Sequence, residues 1–179
     1  MDISRTREVA SYGLMSQEAL EILVKRVFEY ADGICSFTFQ GGEPTLVGLK
    51  FYENLVRLVS QYNDKNIPVQ YSIQTNGYTI DKEWAQFFAT HHFLVGISLD
   101  GTTQTHNLYR NDSSGNGTHK EVMRAIQLLK NDQVDFNVVT VVTNQIARNI
   151  DKIYSFYMRN GLRYQQYIPC LDPLGEKRG

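Results

Sequence analysis

The sequence predicts an α/β fold built on a parallel sheet. Three observations carry that expectation. Short apolar runs alternate with longer segments whose apolar residues recur at helical spacing, five times in series. The run from Phe136 to Val142 is dense in valine, as suits a strand buried on both faces. Glycine-bearing or polar clusters fall directly after the strand-like runs. Consecutive parallel strands need helical crossovers, so a βα series implies a parallel sheet. An open, partial (β/α) barrel and a doubly wound sheet both fit the pattern, and periodicity does not choose between them.

Taken in order, Ser16 is the expected N-cap of a first helix, with Leu20, Leu23, Val24, Val27 and Phe28 at helical spacing. Cys35 to Phe39 is short, apolar and bounded by glycines, which predicts a strand. Phe51, Leu55, Leu58 and Val59 then share one helical face. Pro68 ends the connecting loop, and Val69 to Gln74 is the next strand, closed by Thr75-Asn76-Gly77. Asp81 caps a helix carrying Trp84, Phe87 and Phe88, and Phe93 to Leu99 is a strand ending in Asp100-Gly101. The polar stretch from Gly101 to Gly117 is too long for a simple connector. Thr118 leads into a helix with Val122, Ala125, Ile126 and Leu129 facing inward. After the valine-rich strand, Asn149 or Asp151 opens a helix containing Ile153, Phe156, Tyr157 and Met158, stopped by Asn160-Gly161. Tyr164 to Ile168 is the last strand, and the tail from Pro169 to Gly179 reads as a linker or cut edge.

With 179 residues, 42% of them hydrophobic, the chain suffices for one sizeable core, so residues 1–179 are expected to form a single domain. The net charge is −1 and the basic residues are scattered, which argues against a nucleic-acid partner. No apolar run is long enough to cross a bilayer, and the polar start lacks a signal-peptide core. Two cysteines make no disulfide scaffold. A cytoplasmic protein with no membrane partner is expected. His91, His92, His106 and His119 lack the helical spacing of a zinc motif, so no metal site is expected among them.

Four clusters follow predicted strands: Gly41-Gly42-Glu43, Thr75-Asn76-Gly77, Ser98-Leu99-Asp100-Gly101 and Pro169-Cys170-Leu171. In a parallel sheet those positions share one edge, so residues far apart in sequence converge there. Singly, Asn76-Gly77 and Asp100-Gly101 are ordinary turn dipeptides. Their repeated placement is what marks a site.

The motifs at that edge resemble one family in detail. Gln40 to Thr45, Gln74 to Gly77, Val95 to Gly101, Arg110, Gly115 to Thr118 and Ile168 to Cys170 occur in the order found in radical S-adenosylmethionine enzymes that mature sulfatases anaerobically. Tyr12-Gly13-Leu14-Met15 is similar to the stretch after that family's cluster loop. The resemblance covers almost the whole chain and implies a partial parallel (β/α) barrel of radical S-adenosylmethionine type. It implies S-adenosylmethionine as cofactor, with Gly41 and Gly42 meeting its ammonium through backbone carbonyls while Glu43 orders the turn. Ser98 and Arg110 would take the methionine carboxylate, since a planar guanidinium fork matches a carboxylate. Leu171 would lie by the adenine, Gln40 by the peptide substrate and cofactor pocket, and Asn76 is a further candidate in that pocket or a simple turn residue. The implied activity is oxidation of a sulfatase cysteine or serine to formylglycine, through a 5′-deoxyadenosyl radical, with the sulfatase polypeptide as partner.

That family holds a [4Fe–4S] cluster on a CxxxCxxC loop upstream of the glycine pair. Cys35 and Cys170 are the only cysteines here, so the cluster is expected in a full-length parent and not in this chain. The first strand, the cluster loop and a cysteine-rich carboxy-terminal region are expected to be missing, leaving the chain inactive by itself, with no catalytic residue of its own. Thr102-Thr103-Gln104, Asn107 and His119 depart from the family's usual residues. Two alternatives stand beside this reading: another peptide-modifying radical enzyme, or a cluster-free binding or regulatory module. A sheet lacking its first strand also offers an edge for dimerisation.

Overall fold

A computed structural model describes residues 13–170. They form α1 (Gln17–Tyr30), β1 (Cys35–Phe39), α2 (Leu49–Tyr62), β2 (Val69–Thr75), α3 (Lys82–Thr90), β3 (Phe93–Ser98) and α4 (Thr103–His106), followed by α5 (His119–Asn131), β4 (Phe136–Val142), α6 (Asn144–Ala147), α7 (Ile150–Arg159) and β5 (Gln165–Pro169). The strands lie in the order β1-β2-β3-β4-β5 in one sheet. Register pairs Ile73 with Val95, Ile97 with Val138 and Val139 with Gln166, all in parallel. A doubly wound sheet reverses its strand order at a switch point; this sheet never does, so the fold is the half-barrel of five parallel strands.

The described chain divides into two compact units. The first comprises residues up to Cys35 together with Val47–Pro68, and holds the two helices α1 and α2. Ser16 caps α1 as expected, its hydroxyl accepting from the Ala19 N–H at 3.1 Å. Leu20, Val24 and Phe28 are buried on α1, whereas Leu23 lies outside that stripe and is exposed. Phe51, Tyr52, Leu55, Leu58 and Val59 are buried on α2. Tyr62 donates to Glu21 at 2.6 Å, tying the helices together at their polar margin.

The second unit comprises Ser36–Leu46 and everything from Val69 on, and contains the sheet and α3 to α7. Strand alternation gives the sheet two unlike faces. Ile73, Phe93, Val95, Ile97 and Val138 are buried on one. The other carries Ser36, Thr38, Gln70, Ser72, Gln74, Ser98 and Asn137, none of them buried. Side-chain bonds cross this polar face, Ser36 to Gln70 at 3.3 Å and Thr38 with Ser72 at 2.8 Å. Asp81 caps α3 by accepting from the Trp84 N–H at 3.0 Å. On α7, Ile153 and Tyr157 are buried, while Met158 faces outward. The long 101–117 stretch is ordered locally, by α4 and by a tight turn in which Asp112 accepts from the Ser114 and Asn116 N–H groups inside an Asn111–Gly117 bridge. Among the described residues no helix is long and apolar enough to cross a membrane.

Candidate functional site

The site is built where strands of the second unit end. After β1 the chain turns through Gly41 and Gly42 with φ of +98° and +56°, a region that side chains other than glycine's strain to enter. Nothing lies within 4 Å of where a Cβ would stand on either residue, so the turn is open. Beside it the Glu43 carboxylate is fully engaged. One oxygen accepts from the Thr45 N–H (3.1 Å), the Thr45 hydroxyl (2.7 Å) and the Thr75 hydroxyl (2.7 Å). The other accepts from the Asn76 N–H at 2.7 Å. Four donors make Glu43 a strut between the ends of β1 and β2. The Asn76 side-chain oxygen accepts from the Tyr78 N–H at 2.9 Å, the bond of an Asx turn. Gln40 is exposed at the mouth of the glycine turn.

Next along the edge, Gln74 donates to the Ser98 hydroxyl at 3.2 Å. The glutamine lies across Gly96, where a Cβ would stand 2.1 Å from its side-chain oxygen. Because the amide N–H occupies a lone pair of Ser98, the serine's own proton is free for a ligand acceptor. Two residues on, Asp100 is 3% exposed. Its carboxylate accepts from Arg110 Nε at 2.6 Å and from the Val141 N–H of β4 at 2.8 Å. The Arg110 side chain remains 24% exposed.

Behind this ion pair lies a largely buried hydrogen-bond network. The Asp100 N–H donates to His106 Nδ1 at 3.2 Å, which makes the ring Nε2–H a donor to the Thr118 hydroxyl at 3.1 Å. Thr118 in turn donates to the Arg110 carbonyl at 3.2 Å. His119 donates from Nε2 to the Gly101 carbonyl at 3.2 Å and pairs through Nδ1 with Thr103 at 3.1 Å. Tyr157, fully buried, accepts from the Gly101 N–H at 2.8 Å and bonds the Leu99 carbonyl at 2.5 Å. Burial, then the Arg110 charge and His119, hold His106 down to about 3. Burial also lowers His119, partly offset by its bond to Gly101, and raises the Tyr157 phenol. Both histidines are therefore neutral structural groups.

Gly41, Gly42, Glu43, Asn76, Ser98 and Arg110 all lie at or after strand ends on this edge; Leu171 lies outside the described residues. In the sequence Asp100 reads as a turn residue, and His106, His119 and Tyr157 carry no pattern that joins them into a network. The signal was present only as buried-type spacing, since nothing local says that a turn aspartate will meet an arginine ten positions on.

The chemistry of S-adenosylmethionine fits these residues: an open glycine turn whose carbonyls can meet an ammonium, and a hydroxyl and a guanidinium for a carboxylate. A [4Fe–4S] cluster does not fit them. Cys35 is buried with its thiol raised by burial, Cys170 is exposed, and among the described residues no group of three metal-ligating side chains exists.

Five parallel strands in sequential order form a half-barrel of the kind seen in radical SAM enzymes. The chain belongs to the radical SAM superfamily, whose family model matches residues 4–157. Within it, the chain is 49% identical over 177 residues to the cysteine-type anaerobic sulfatase-maturating enzyme of Clostridium novyi (strain NT), covering 99% of this chain and 47% of that one. It is 48% identical to the enzyme of the same description from Clostridium perfringens (strain ATCC 13124), again covering 99% of this chain and 48% of the relative. The solved structure of native anSMEcpe with bound AdoMet and Kp18Cys peptide superposes with a TM-score of 0.92 at 48% identity, covering 94% of this chain and 47% of that one. The chain thus spans about half the length of the curated relatives it matches.

Proposed function

We propose that this chain is the S-adenosylmethionine-binding half-barrel of a cysteine-type anaerobic sulfatase-maturating enzyme. The observation that carries the reading is the series of contacts along the strand ends, Glu43 to Thr75 and Asn76, Gln74 to Ser98, Asp100 to Arg110. It joins an open glycine turn to a carboxylate-binding pair. Gly41 and Gly42 offer backbone carbonyls to the ammonium, and Glu43 keeps the turn in shape through its bonds to Thr45, Thr75 and Asn76. Ser98 and Arg110 receive the methionine carboxylate. Gln40 and Asn76 are further candidates for contact with the ligand or the substrate peptide. The polar sheet face supplies donors and acceptors to an extended substrate peptide, in a parent whose substrate is a sulfatase cysteine.

Bound S-adenosylmethionine supplies, in this class of enzyme, a source of hydrogen-abstracting radical chemistry. With two cysteines the chain alone cannot hold the cluster that chemistry needs, so by itself it binds the cofactor without cleaving it. Equilibrium dialysis with labelled S-adenosylmethionine tests the reading. Saturable binding, competed by S-adenosylhomocysteine and lost in Ser98→Ala and Arg110→Ala, is expected. A chain that binds nothing, or whose binding ignores both substitutions, refutes it.

A further inference from the structure

We propose that Asp100 is a positioning residue for Arg110, holding the guanidinium so that its terminal Nη pair faces the carboxylate of an amino-acid ligand. The inference rests on the reading above that this edge takes S-adenosylmethionine. Asp100 cannot touch that ligand itself, being 3% exposed with both carboxylate oxygens occupied.

The restraint on Arg110 acts at both ends of the residue. Its N–H donates to the His106 carbonyl at 3.0 Å, and its carbonyl accepts from the Thr118 N–H at 3.1 Å. Its guanidinium is held at Nε, 2.6 Å from Asp100. A guanidinium presents two forks, one using Nε and one made by the two terminal nitrogens. Asp100 bonds the first at Nε alone, and no described residue bonds the second. Asp100 is itself bolted down, through Val141 on its carboxylate, His106 on its N–H (3.2 Å) and the Thr105 hydroxyl on its carbonyl (2.6 Å). A long, freely rotating side chain is thereby ordered before any ligand arrives.

The sign of the effect separates geometry from charge. Asp100 brings a negative charge to a site that binds a carboxylate, so its coulombic contribution to that binding is unfavourable. Asp100→Asn removes the charge and should tighten binding if charge decides. It should weaken binding if position decides, because an amide is a poor acceptor for Nε in this corner.

The experiment measures dissociation constants of S-adenosylmethionine and of decarboxylated S-adenosylmethionine for the full chain, D100N, R110A and the double variant, with thermal unfolding to verify folding. We expect D100N to weaken S-adenosylmethionine binding about tenfold or more and leave the decarboxylated ligand unchanged. The double variant should bind no worse than R110A, since the two side chains act as one unit. D100N binding as tightly as the parent, or tighter, overturns the inference alone. So does equal weakening for both ligands, which marks general damage to the fold. If the unmodified chain binds neither ligand, the cofactor reading falls and the inference with it. Should D100N not fold, Arg110→Lys carries the test. Lysine keeps the charge but cannot serve Asp100 and a ligand fork together, so it should lose the preference for the carboxylated ligand; a retained preference overturns the inference.

Discussion

After β1 the chain turns at Gly41 and Gly42, and after β3 it turns at Gly101 with φ of +84°. All three glycines sit in the left-handed region at the same kind of place, a strand's carboxyl end. Their surroundings are opposite. Nothing approaches the missing Cβ of Gly41 or Gly42, whereas at Gly101 that atom would stand 2.5 Å from Ile153 Cγ1 and 2.9 Å from the Thr105 hydroxyl. One turn keeps room for something that is not protein. The other is filled by its own fold, and Tyr157 and His119 bond both polar groups of its backbone. The same residue type at the same kind of place is thus open in one turn and packed in the other, and only the neighbours tell them apart.

The largest effect should come from closing the packed turn. Gly101→Ala adds left-handed strain of about 1–2 kcal/mol and an overpacking cost of about 1–3 kcal/mol. Urea denaturation should show a loss of about 2–5 kcal/mol, partly recovered in Gly101→Ala/Ile153→Ala. A loss below about 1 kcal/mol, or no recovery, would break the distinction. Next comes the strut beside the open turn. Glu43→Gln must set an amide N–H₂ against either the Thr45–Thr75 donors or the Asn76 N–H, leaving a donor unmatched at about 2 kcal/mol. Hydrogen exchange at the Asn76 amide should accelerate in this variant while the Asp100 amide keeps its protection.

Acid should distinguish the two turns in the opposite direction. His106 stands behind Gly101 at about 3, against about 6.5 for an unfolded histidine, because burial, Arg110 and His119 disfavour its charge. Between those values the unfolded chain takes up a proton that the folded chain refuses. Stability is therefore complete above about pH 6.5 and falls as the pH drops toward 3, by about 2 kcal/mol at pH 5 from this residue alone. His119, lowered chiefly by burial, acts with the same sign. Denaturation midpoints at pH 7 and 5 should separate more for the parent than for His106→Asn, and exchange should quicken first at Asp100. An equal separation in both proteins would remove His106 from the account.

Much of the architecture was legible in the sequence because it rests on local rules. Helical spacing located α1, α2, α3, α5 and α7, and the Ser16 and Asp81 caps follow from side chains that accept from their own first turns. The short helices α4 and α6 were not read, because four residues give no period to detect. On the candidate edge, motif order singles out Gly41 to Glu43, Ser98 and Arg110 as candidates. It does not single out the network behind them, since Asp100, His106, Thr140 and Tyr157 meet only when β3, β4 and α7 have packed. Composition marked those side chains as polar or aromatic and could not say that they would be buried together.

The smallest predicted change in stability is the most informative about function. Gly42→Ala introduces a methyl group that touches nothing, so only backbone strain acts, about 1–2 kcal/mol. A chain so altered should remain folded, with the Glu43 bonds to Thr75 and Asn76 intact and the Gly101 corner unaffected. If the open turn is a ligand's seat, S-adenosylmethionine binding should nonetheless fall far more than the stability does, because the methyl group occupies the approach to the turn's carbonyls. The ratio of the two losses is the quantity to measure, by dialysis and urea denaturation on the same preparation. A binding loss no larger than the strain accounts for would mean that the space at Gly41 and Gly42 is merely surface, and the two turns would then differ in packing alone.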